Sequence, residues 1–378
     1  MSVRTILSIA GARPNFVKVA PLVKEIRRQP DLTSVLVHTG QHYDRTMSQT
    51  FFDDLEIPAP DVNLGVGSGS HAVQTAEVMR GIEPVLQSVR PDVVLVVGDV
   101  NSTIAAALTA VKLGITVAHV EAGLRSFDRS MPEEINRILT DAISDLLFVT
   151  EASGVENLRH EGVDAAKIHF VGNVMIDALE QTRSRWERSP VFDHLGIEPA
   201  RPYAVLTLHR PSNVDDTRTL SGLLHALADV ARALPIVFPV HPRVKPALRD
   251  GDGLYWAADH PGEPLPDKGI VCLEPLGYLD FVALTSRARL VLTDSGGVQE
   301  ETTILGVPCL TLRENTERPV TVSHGTNRIV GNDHERIVAE AVASLEEPML
   351  KPARPPLWDG RAAERIVRIL HTSVGGPG

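Results

Sequence analysis

Three acidic side chains stand where an α/β protein would place groups that transfer protons. Asp99 follows the apolar run 93–97 and Gly98, and Glu121 follows the apolar run 116–120. Glu133 lies further along, in the first turn of a predicted helix. Because ligands bind at the carboxyl ends of strands in open α/β sheets, we expect these carboxylates to converge on a ligand.

Each of these acids also has a structural interpretation. A carboxylate at a helix start can cap backbone N–H groups or complement the helix dipole, and one at a strand end can pair with Arg125 or Arg137. All three together are harder to explain in this way, since two of them are directed at the same edge of the sheet. We therefore interpret Asp99, Glu121 and Glu133 as catalytic.

Two strand-to-helix turns have the composition of anion sites. Gly11-Ala12-Arg13-Pro14-Asn15 follows the first strand, with Lys18 one turn into the helix. Ser295-Gly296-Gly297 opens a helix after another apolar strand. Helix N-termini and glycine amides both suit a phosphate group. The alternatives are an ordinary turn at the first site and a capping box at the second, and the paired glycines favour phosphate binding at the second.

Further polar residues follow the predicted strands of the second half. Glu300 and Glu301 could accept hydrogen bonds from ribose hydroxyls, and Arg318 could bind a phosphate, with a solvated charged loop as the alternative. His209 and His241 end two neighbouring strands, where a histidine can act as an acid, a base or a donor to a leaving phosphate. A lone histidine is more often structural, but two at adjacent strand ends favour function.

The elements that must position these residues alternate between apolar runs and helical patterns, which predicts parallel sheets. In the first half the patterns predict strands at 3–9, 34–39, 93–97, 116–120, 146–149 and 168–171, and helices at 16–28, 71–89, 102–113, 133–144 and 152–161. The alternation restarts near Tyr203, with strands at 203–208, 236–240, 270–273, 289–293 and 309–312. We expect two doubly wound α/β domains with a cleft between them. The first would comprise residues 1–172 and a C-terminal helix at about 357–374, and the second residues 173–356.

Composition excludes several other classes of protein. A length of 378 residues favours two domains, and a net charge of −11 without a long Lys/Arg run argues against nucleic-acid and membrane-surface binding. No apolar run approaches the ~20 residues of a membrane span. Cys272 and Cys309 are expected to be buried free thiols of a cytoplasmic protein. Zinc-ligand spacing, the dinucleotide G-x-G-x-x-G, the Walker motif and the G-x-S-x-G elbow are all absent, so neither a metal nor a cofactor is expected.

The chain resembles the non-hydrolysing UDP-N-acetylglucosamine 2-epimerases of bacteria and archaea. The matching segments run nearly end to end: 11–14, 39–42, 98–99, 119–125, 132–137, 172–173, 209–210, 239–241, 293–301 and 316–319. The resemblance implies two Rossmann-like domains in the GT-B-like arrangement of many glycosyltransferases, a homodimer and a UDP-sugar substrate.

The resemblance also implies roles for individual residues. The implied catalytic groups are Asp99, Glu121, Glu133 and His209. The implied substrate and UDP contacts are Arg13, Lys18, Arg137, Ser295, Gly296, Gly297, Glu301 and Arg318. Some family members bind a second UDP-N-acetylglucosamine as an activator, and Gln41, His42 and His241 are the candidates for such a site here. Asp44 and His71 depart from the residues common there, and Leu208 replaces a frequent glycine.

The implied reaction explains why several acids are needed. The C2 proton of an N-acetylhexosamine is not next to a carbonyl group, so it leaves together with UDP to give 2-acetamidoglucal, and UDP then re-adds. This route needs an acid and a base on opposite faces of C2 and cations for the departing diphosphate. The alternatives are a 2-epimerase of a UDP-2,3-diacetamido uronic acid, which the stretch 61–74 favours, a GT-B glycosyltransferase and a non-catalytic UDP-sugar-binding protein.

Overall fold

A computed structural model describes residues 3–11, 13–40, 51–198, 200–248, 254–256, 264–347 and 354–373. The chain forms two compact units, one of residues 1–181 with 356–378 and the other of residues 182–355. Each unit holds one seven-stranded sheet, and every strand pairing in both sheets is parallel. The predicted class of two Rossmann-like α/β domains is confirmed.

The first unit has the strand order β3-β2-β1-β4-β5-β6-β7. Its strands are β1 (Arg4–Ala10), β2 (Leu32–His38), β3 (Val62–Asn63), β4 (Val93–Val97), β5 (Thr116–Ala122), β6 (Leu146–Val149) and β7 (Ile168–Phe170). Its helices are Arg13–Arg28, His71–Val89, Asn101–Lys112, Pro132–Ile143, Ala152–His160, Val174–Gln181 and Ala362–Ser373, with a 3₁₀ turn at Ala165–Lys167. The order reverses between β1 and β4, and such a switch point is where open α/β sheets bind ligands.

The second unit repeats this plan with the strand order β10-β11-β9-β8-β12-β13-β14. Its strands are β8 (Ala204–Thr207), β9 (Ile236–Pro239), β10 (Leu254–Trp256), β11 (Ile270–Leu273), β12 (Leu290–Thr293), β13 (Cys309–Thr311) and β14 (Asn327–Ile329). Its helices are Arg183–Trp186, Val191–His194, Pro211–Val214, Thr217–Val230, Tyr278–Ser286, Gly296–Leu305, Val320–Ser323 and His334–Glu346, with a 3₁₀ turn at Lys245–Ala247. The switch point of this sheet lies between β8 and β12.

The C-terminal helix belongs to the first unit, and so does the helix Val174–Gln181, which the sequence analysis placed in the second domain. The two helices are joined by Asp177, whose carboxylate accepts hydrogen bonds from the backbone N–H groups of Ala362 and Ala363 at 3.0 and 2.7 Å. Burial raises the pKa of Asp177 to about 6. This capping of the C-terminal helix explains why the first unit extends beyond residue 172.

The two cysteines lie on strands of the second sheet. Cys272 on β11 and Cys309 on β13 are buried free thiols, as predicted, and burial raises the pKa of each to about 12. Across the described ranges, no helix combines the length and the apolar content needed to cross a membrane.

The backbone after β5 passes so close to a neighbouring helix that only glycine fits at residue 123. Gly123 has a φ of 79°, and a Cβ there would lie 2.3 Å from the carbonyl oxygen of Gly154. Gly123→Ala is therefore expected to lower the free energy of unfolding by about 3 kcal/mol or more, because left-handed strain and a backbone clash act together. Chemical denaturation of the purified variant measures this loss.

Gly114→Ala is the matched control for that substitution. Gly114 has a φ of 70° but no atom within 4 Å of an added Cβ. Its substitution should therefore cost only the left-handed strain of about 1–2 kcal/mol. Equal losses in the two variants would contradict the role assigned to the close approach at Gly123.

Candidate active site

The strands β4 and β5 bring three polar groups together at the carboxyl edge of the first sheet. Gly98, with a φ of 71°, turns the chain after β4 and leads into Asp99. A Cβ built on Gly98 would lie 3.4 Å from both the Glu121 Oε2 atom and the Lys18 Nζ atom. Glu121 and Lys18 therefore lie beside the turn that carries Asp99.

Glu121 combines an unusual backbone with an unusual side-chain environment. It has a φ of 71° and lies where the register between β5 and β6 shifts. Its buried Oε2 atom accepts a hydrogen bond from Lys18 Nζ at 2.5 Å, and its buried Oε1 atom has no partner among the described residues. A non-glycine residue in this conformation costs about 1–3 kcal/mol, and such residues cluster at functional sites. The ion pair forms with Lys18 and not with Arg125, the partner considered in the sequence analysis.

Asp99 keeps part of its carboxylate exposed while Arg137 holds the rest. Its side chain is 23% exposed, and its Oδ2 atom accepts a hydrogen bond from Arg137 Nε at 2.9 Å. The guanidinium of Arg137 is buried between Asp99 and Glu134. The predicted ion pair and the predicted catalytic position of Asp99 are therefore compatible, since the pair orients a carboxylate that ligands can still reach.

Glu134 is a connecting residue that the sequence analysis missed. Its buried carboxylate pairs with Arg137 and accepts hydrogen bonds from the Ser126 N–H at 3.0 Å, the Ser126 hydroxyl at 3.0 Å and the Phe127 N–H at 2.9 Å. It thereby fastens the loop after β5 to the helix Pro132–Ile143. The neighbouring Glu133 is partly exposed at the start of the same helix. Two consecutive glutamates in one helical turn were the available signal, because only one of them can face the core.

A second network of buried side chains lies beneath the carboxyl edge of the first sheet. His119 contacts Asp141 through Nδ1 at 2.7 Å and the carbonyl oxygen of Gly98 through Nε2 at 2.8 Å. Asp141 also pairs with Arg125 at 2.7 Å and accepts a hydrogen bond from the Gly123 N–H at 3.0 Å. Burial would raise the pKa of Asp141, but His119 and Arg125 hold it below its usual value. This network fixes the turns that follow β4 and β5.

Several predicted residues cannot be placed in full. Gln41 and His42 lie outside the described residues, as does Asp44. Arg13 begins the helix Arg13–Arg28, but its side chain is outside the described part of the structure. Their functional roles stay predictions.

In the second unit, His209 follows β8 and is oriented by a residue for which the sequence analysis proposed no role. Its Nδ1 atom lies 2.8 Å from the Oδ1 atom of Asp294, which is fully buried after the adjacent strand β12. Its ring centroid is 5.7 Å from that of His241, which follows β9. The structure thus places the two predicted histidines side by side. Asp294 could have been found from its position directly after an apolar strand.

The turn from β12 into the helix Gly296–Leu305 has the geometry of an anion site. Ser295 is the N-cap residue, yet its side chain makes no capping hydrogen bond, so the capping-box alternative is wrong. Gly296 is packed against Arg318, since a Cβ there would lie 2.4 Å from the nearest guanidinium nitrogen. Gly297 follows in the first helical turn. The backbone N–H groups of the first helical turn, the Ser295 hydroxyl and a close guanidinium suit a phosphate.

The two glutamates of this helix have different partners. Glu300 accepts a hydrogen bond from Arg318 Nε at 2.6 Å and so holds that guanidinium group, while its role as a ribose acceptor stays a prediction. Burial raises the pKa of Glu301 to about 8, with Tyr278 opposing this shift and the adjacent Glu300 adding to it. The buried Oε1 atom of Glu301 has no partner within the described ranges.

Arg210 and Arg313 lie at the same edge of the second sheet as Arg318, although neither was predicted as a site residue. Glu317 is buried and lies 3.2 Å from Arg210, 2.9 Å from Arg313 and 3.5 Å from Arg318. Because Glu300 is the other carboxylate of this arginine cluster, three guanidinium groups share two carboxylates, which leaves one excess positive charge. Burial, reinforced by the neighbouring arginines, lowers the pKa of Arg313. An excess buried cation at the carboxyl edge of a parallel sheet favours an anionic ligand.

No arrangement for a metal ion is evident among these groups. Within the described residues, no cluster of three or more histidine, cysteine, aspartate or glutamate side chains could hold one.

Comparison with known proteins identifies the family to which this architecture belongs. The family model described as UDP-N-acetylglucosamine 2-epimerase matches residues 24–371. The chain belongs to the UDP-N-acetylglucosamine 2-epimerase family. Membership confirms the resemblance and assigns the chain to a family of isomerases.

Individual epimerases of this family are similar over nearly their whole length. The UDP-N-acetylglucosamine 2-epimerase of Methanocaldococcus jannaschii is 42% identical, over 96% of this chain and 97% of the relative. The UDP-2,3-diacetamido-2,3-dideoxy-D-glucuronate 2-epimerase of Pseudomonas aeruginosa is 40% identical, over 97% and 99%. A solved structure of UDP-GlcNAc 2-epimerase from M. jannaschii, in complex with UDP-GlcNAc and UDP, superposes with a TM-score of 0.87 at 40% identity, covering 97% of this chain and 99% of that one.

Proposed function

We propose that this chain interconverts UDP-N-acetylglucosamine and UDP-N-acetylmannosamine by anti elimination and re-addition of UDP. The observation that carries the proposal is the strained, buried Glu121 beside the partly exposed Asp99 at the switch point of the first sheet. The solved relative that holds UDP-GlcNAc and UDP supports the choice of substrate. The reaction needs no cofactor, because the departing UDP activates the C2 proton and then returns.

The elimination has a defined balance of bonds and protons. A carboxylate takes the C2 proton, the C–H electron pair forms the C1=C2 double bond, and the C1–O bond breaks to release UDP. In the second step, re-addition, an oxygen of UDP attacks C1 while an acid delivers a proton to the face of C2 opposite to the one that lost it. We assign these two proton transfers to Asp99 and Glu133, and the binding of the sugar or tuning of its neighbours to Glu121.

The remaining residues serve the nucleotide and its leaving group. We assign stabilisation of the diphosphate to His209, Arg13 and Arg318, with Ser295, Gly296 and Gly297 as further phosphate contacts. Glu301 would bind the nucleotide. Lys18 and Arg137 would act by holding Glu121 and Asp99 in place, a more specific role than the direct substrate contact expected from the resemblance.

The proposed function is tested by proton NMR of UDP-N-acetylglucosamine with the purified protein in D₂O. The expected result is growth of UDP-N-acetylmannosamine with deuterium at C2, which establishes the substrate and the elimination route together. Epimerisation without deuterium incorporation would contradict elimination. Release of free N-acetylmannosamine and UDP would instead indicate a hydrolysing enzyme.

A second candidate substrate is favoured by the relative from P. aeruginosa. That protein is a 2-epimerase of a UDP-2,3-diacetamido uronic acid. Its sequence identity to this chain is 40%, close to the 42% of the M. jannaschii enzyme. The same NMR experiment with the diacetamido uronate distinguishes the two. If only the uronate is turned over, the uronate is the substrate and the same elimination mechanism applies to it.

Two further properties belong to the proposal. We propose a homodimer on the basis of the family resemblance. We also propose a cytoplasmic location, with which the two buried free thiols are compatible. Gln41, His42 and His241 are kept as candidates for binding a second UDP-sugar.

A further inference from the structure

The pairing of two strands in the second sheet fixes the position of His209. The strands β8 and β12 pair in parallel with Thr207 opposite Thr293, so the residues that follow them emerge side by side. His209 Nδ1 lies 2.8 Å from Asp294 Oδ1, where the histidine is 36% exposed and the aspartate is fully buried. A buried carboxylate behind a half-exposed imidazole is the arrangement by which catalytic histidines are oriented.

Every other hydrogen bond of the Asp294 carboxylate is accepted from an N–H donor. Its carboxylate accepts from the backbone N–H of His209 at 3.0 Å, the backbone N–H of Arg210 at 2.9 Å and Nδ2 of Asn213 at 3.2 Å. Burial would raise the pKa of Asp294, but the charge of His209 and these donors hold it below its usual value. An ionised carboxylate only accepts, so the Nδ1 atom of His209 must carry a hydrogen.

The opposite ring nitrogen is then left for a ligand. Nε2 of His209 has no hydrogen-bond partner in the part of the chain that the structure describes. In the protonated ring Nε2 is a donor as well, with the carboxylate of Asp294 as the partner of Nδ1. The nearby arginine cluster around Glu317 and the helix start at Gly296 already favour an anion at this edge.

We propose that Asp294 is a positioning residue that holds His209 in the Nδ1–H tautomer and directs Nε2 at the departing diphosphate. The interaction of Nε2 with the diphosphate rests on the proposed function. The tautomer of His209 rests only on the contacts of Asp294, so the tautomer and the interaction can be tested separately.

The tautomer is measured by long-range ¹⁵N–¹H NMR of the full chain labelled at histidine, on the alkaline side of the imidazole titration. The His209 signal is assigned from its loss in His209→Gln. We expect the Nδ1–H form in the unsubstituted protein. The Nε2–H form there would overturn the proposal whether or not the protein turns over UDP-N-acetylglucosamine, and without the need for a variant of Asp294.

The kinetic consequence is measured on Asp294→Asn. Asparagine places an NH₂ group where the wild type accepts from several N–H donors, so the preferred tautomer is lost. We expect kcat for epimerisation to fall by roughly 10²–10⁴-fold with little change in KM, the signature of an interaction made in the transition state. A variant that is folded by circular dichroism, with kcat close to the wild-type value, would overturn the proposal.

Asp215→Asn is the matched control for this substitution. Asp215 lies in the same unit and makes an ion pair with Arg243 at 2.6 Å, but both side chains are about half exposed. The same change of charge there should leave kcat and the His209 tautomer unchanged, because exposed ion pairs contribute little. An equal loss of kcat in Asp215→Asn would show that the effect at Asp294 is one of general charge, and would overturn the positioning role.

Discussion

Asp99→Asn is expected to lower both epimerisation and solvent deuterium incorporation at C2 by roughly 10²–10⁴-fold, the range for loss of a general acid or base. Asparagine has nearly the same size and can still accept a hydrogen bond from Arg137 Nε, which lies 2.9 Å from Asp99 Oδ2. It cannot accept or release the C2 proton. The loss should therefore appear in kcat without loss of the fold, as measured by proton NMR of UDP-N-acetylglucosamine in D₂O.

Asp92→Asn is the control, because Asp92 precedes β4 while Asp99 follows it. Asp92 accepts a hydrogen bond from the Thr5 N–H at 2.7 Å and is exposed. Being at the amino end of the strand, it lies at the edge of the sheet opposite to the proposed site. Its substitution should leave the rate unchanged. Deuterium incorporation at the wild-type rate in Asp99→Asn would remove Asp99 from the proton-transfer step.

Glu121→Gln is expected to lower stability as well as activity. Glu121 and Lys18 form a buried pair with side chains 2% and 9% exposed, so the substitution leaves a buried ammonium without its counterion. The loss of a partner from such a pair costs about 3–5 kcal/mol in the free energy of unfolding. Chemical denaturation measures this loss, and the NMR assay in D₂O should show that epimerisation is lost too.

A double variant separates the two effects. Lys18→Met combined with Glu121→Gln removes both charges, and replacing a whole buried ion pair by less polar groups is often neutral for stability. We expect the double variant to recover most of the stability and none of the activity. Recovery of wild-type activity would reduce Glu121 to a structural counterion for Lys18.

Glu56→Gln is the matched control for the stability measurement. Glu56 pairs with Lys24 at 3.4 Å in the same unit and also has a positive φ, of 53°, but both side chains are exposed. The loss there should stay below about 1 kcal/mol, because solvent screens the pair. A loss equal to that of Glu121→Gln would show that the substitution itself, and not burial of the pair, is responsible.

Most elements were predictable because their patterns are local. The strand Val93–Val97 and the helix His71–Val89 were predicted to the residue, since a continuous apolar run and a helical repeat are readable in the chain itself. The strands β3, β10 and β14 were missed. Each has two or three residues and lies at the edge of its sheet, so that it forms only because one neighbouring strand offers hydrogen-bonding groups to it.

The candidate site was predictable to a different degree. Asp99, Glu121 and His209 could be selected because each follows an apolar run, and the carboxyl ends of the strands lie along one edge of each parallel sheet. Glu134 and Asp294 were missed as partners of these residues. Glu134 stands beside Glu133 in the same helical turn, and Asp294 directly precedes Ser295-Gly296-Gly297, so the chain itself does not show which side chains they contact.

The amino-acid sequence alone was therefore sufficient for the fold class, the family and the strand-end acids, because periodicity and motifs depend on residues close together in the chain. It was not sufficient for the pairing of Glu121 with Lys18, of Asp99 with Arg137 and of His209 with Asp294. These pairs join residues 38 to 103 positions apart. Their charges, hydrogens and orientations depend on distance and burial, which exist only once the sheets have formed.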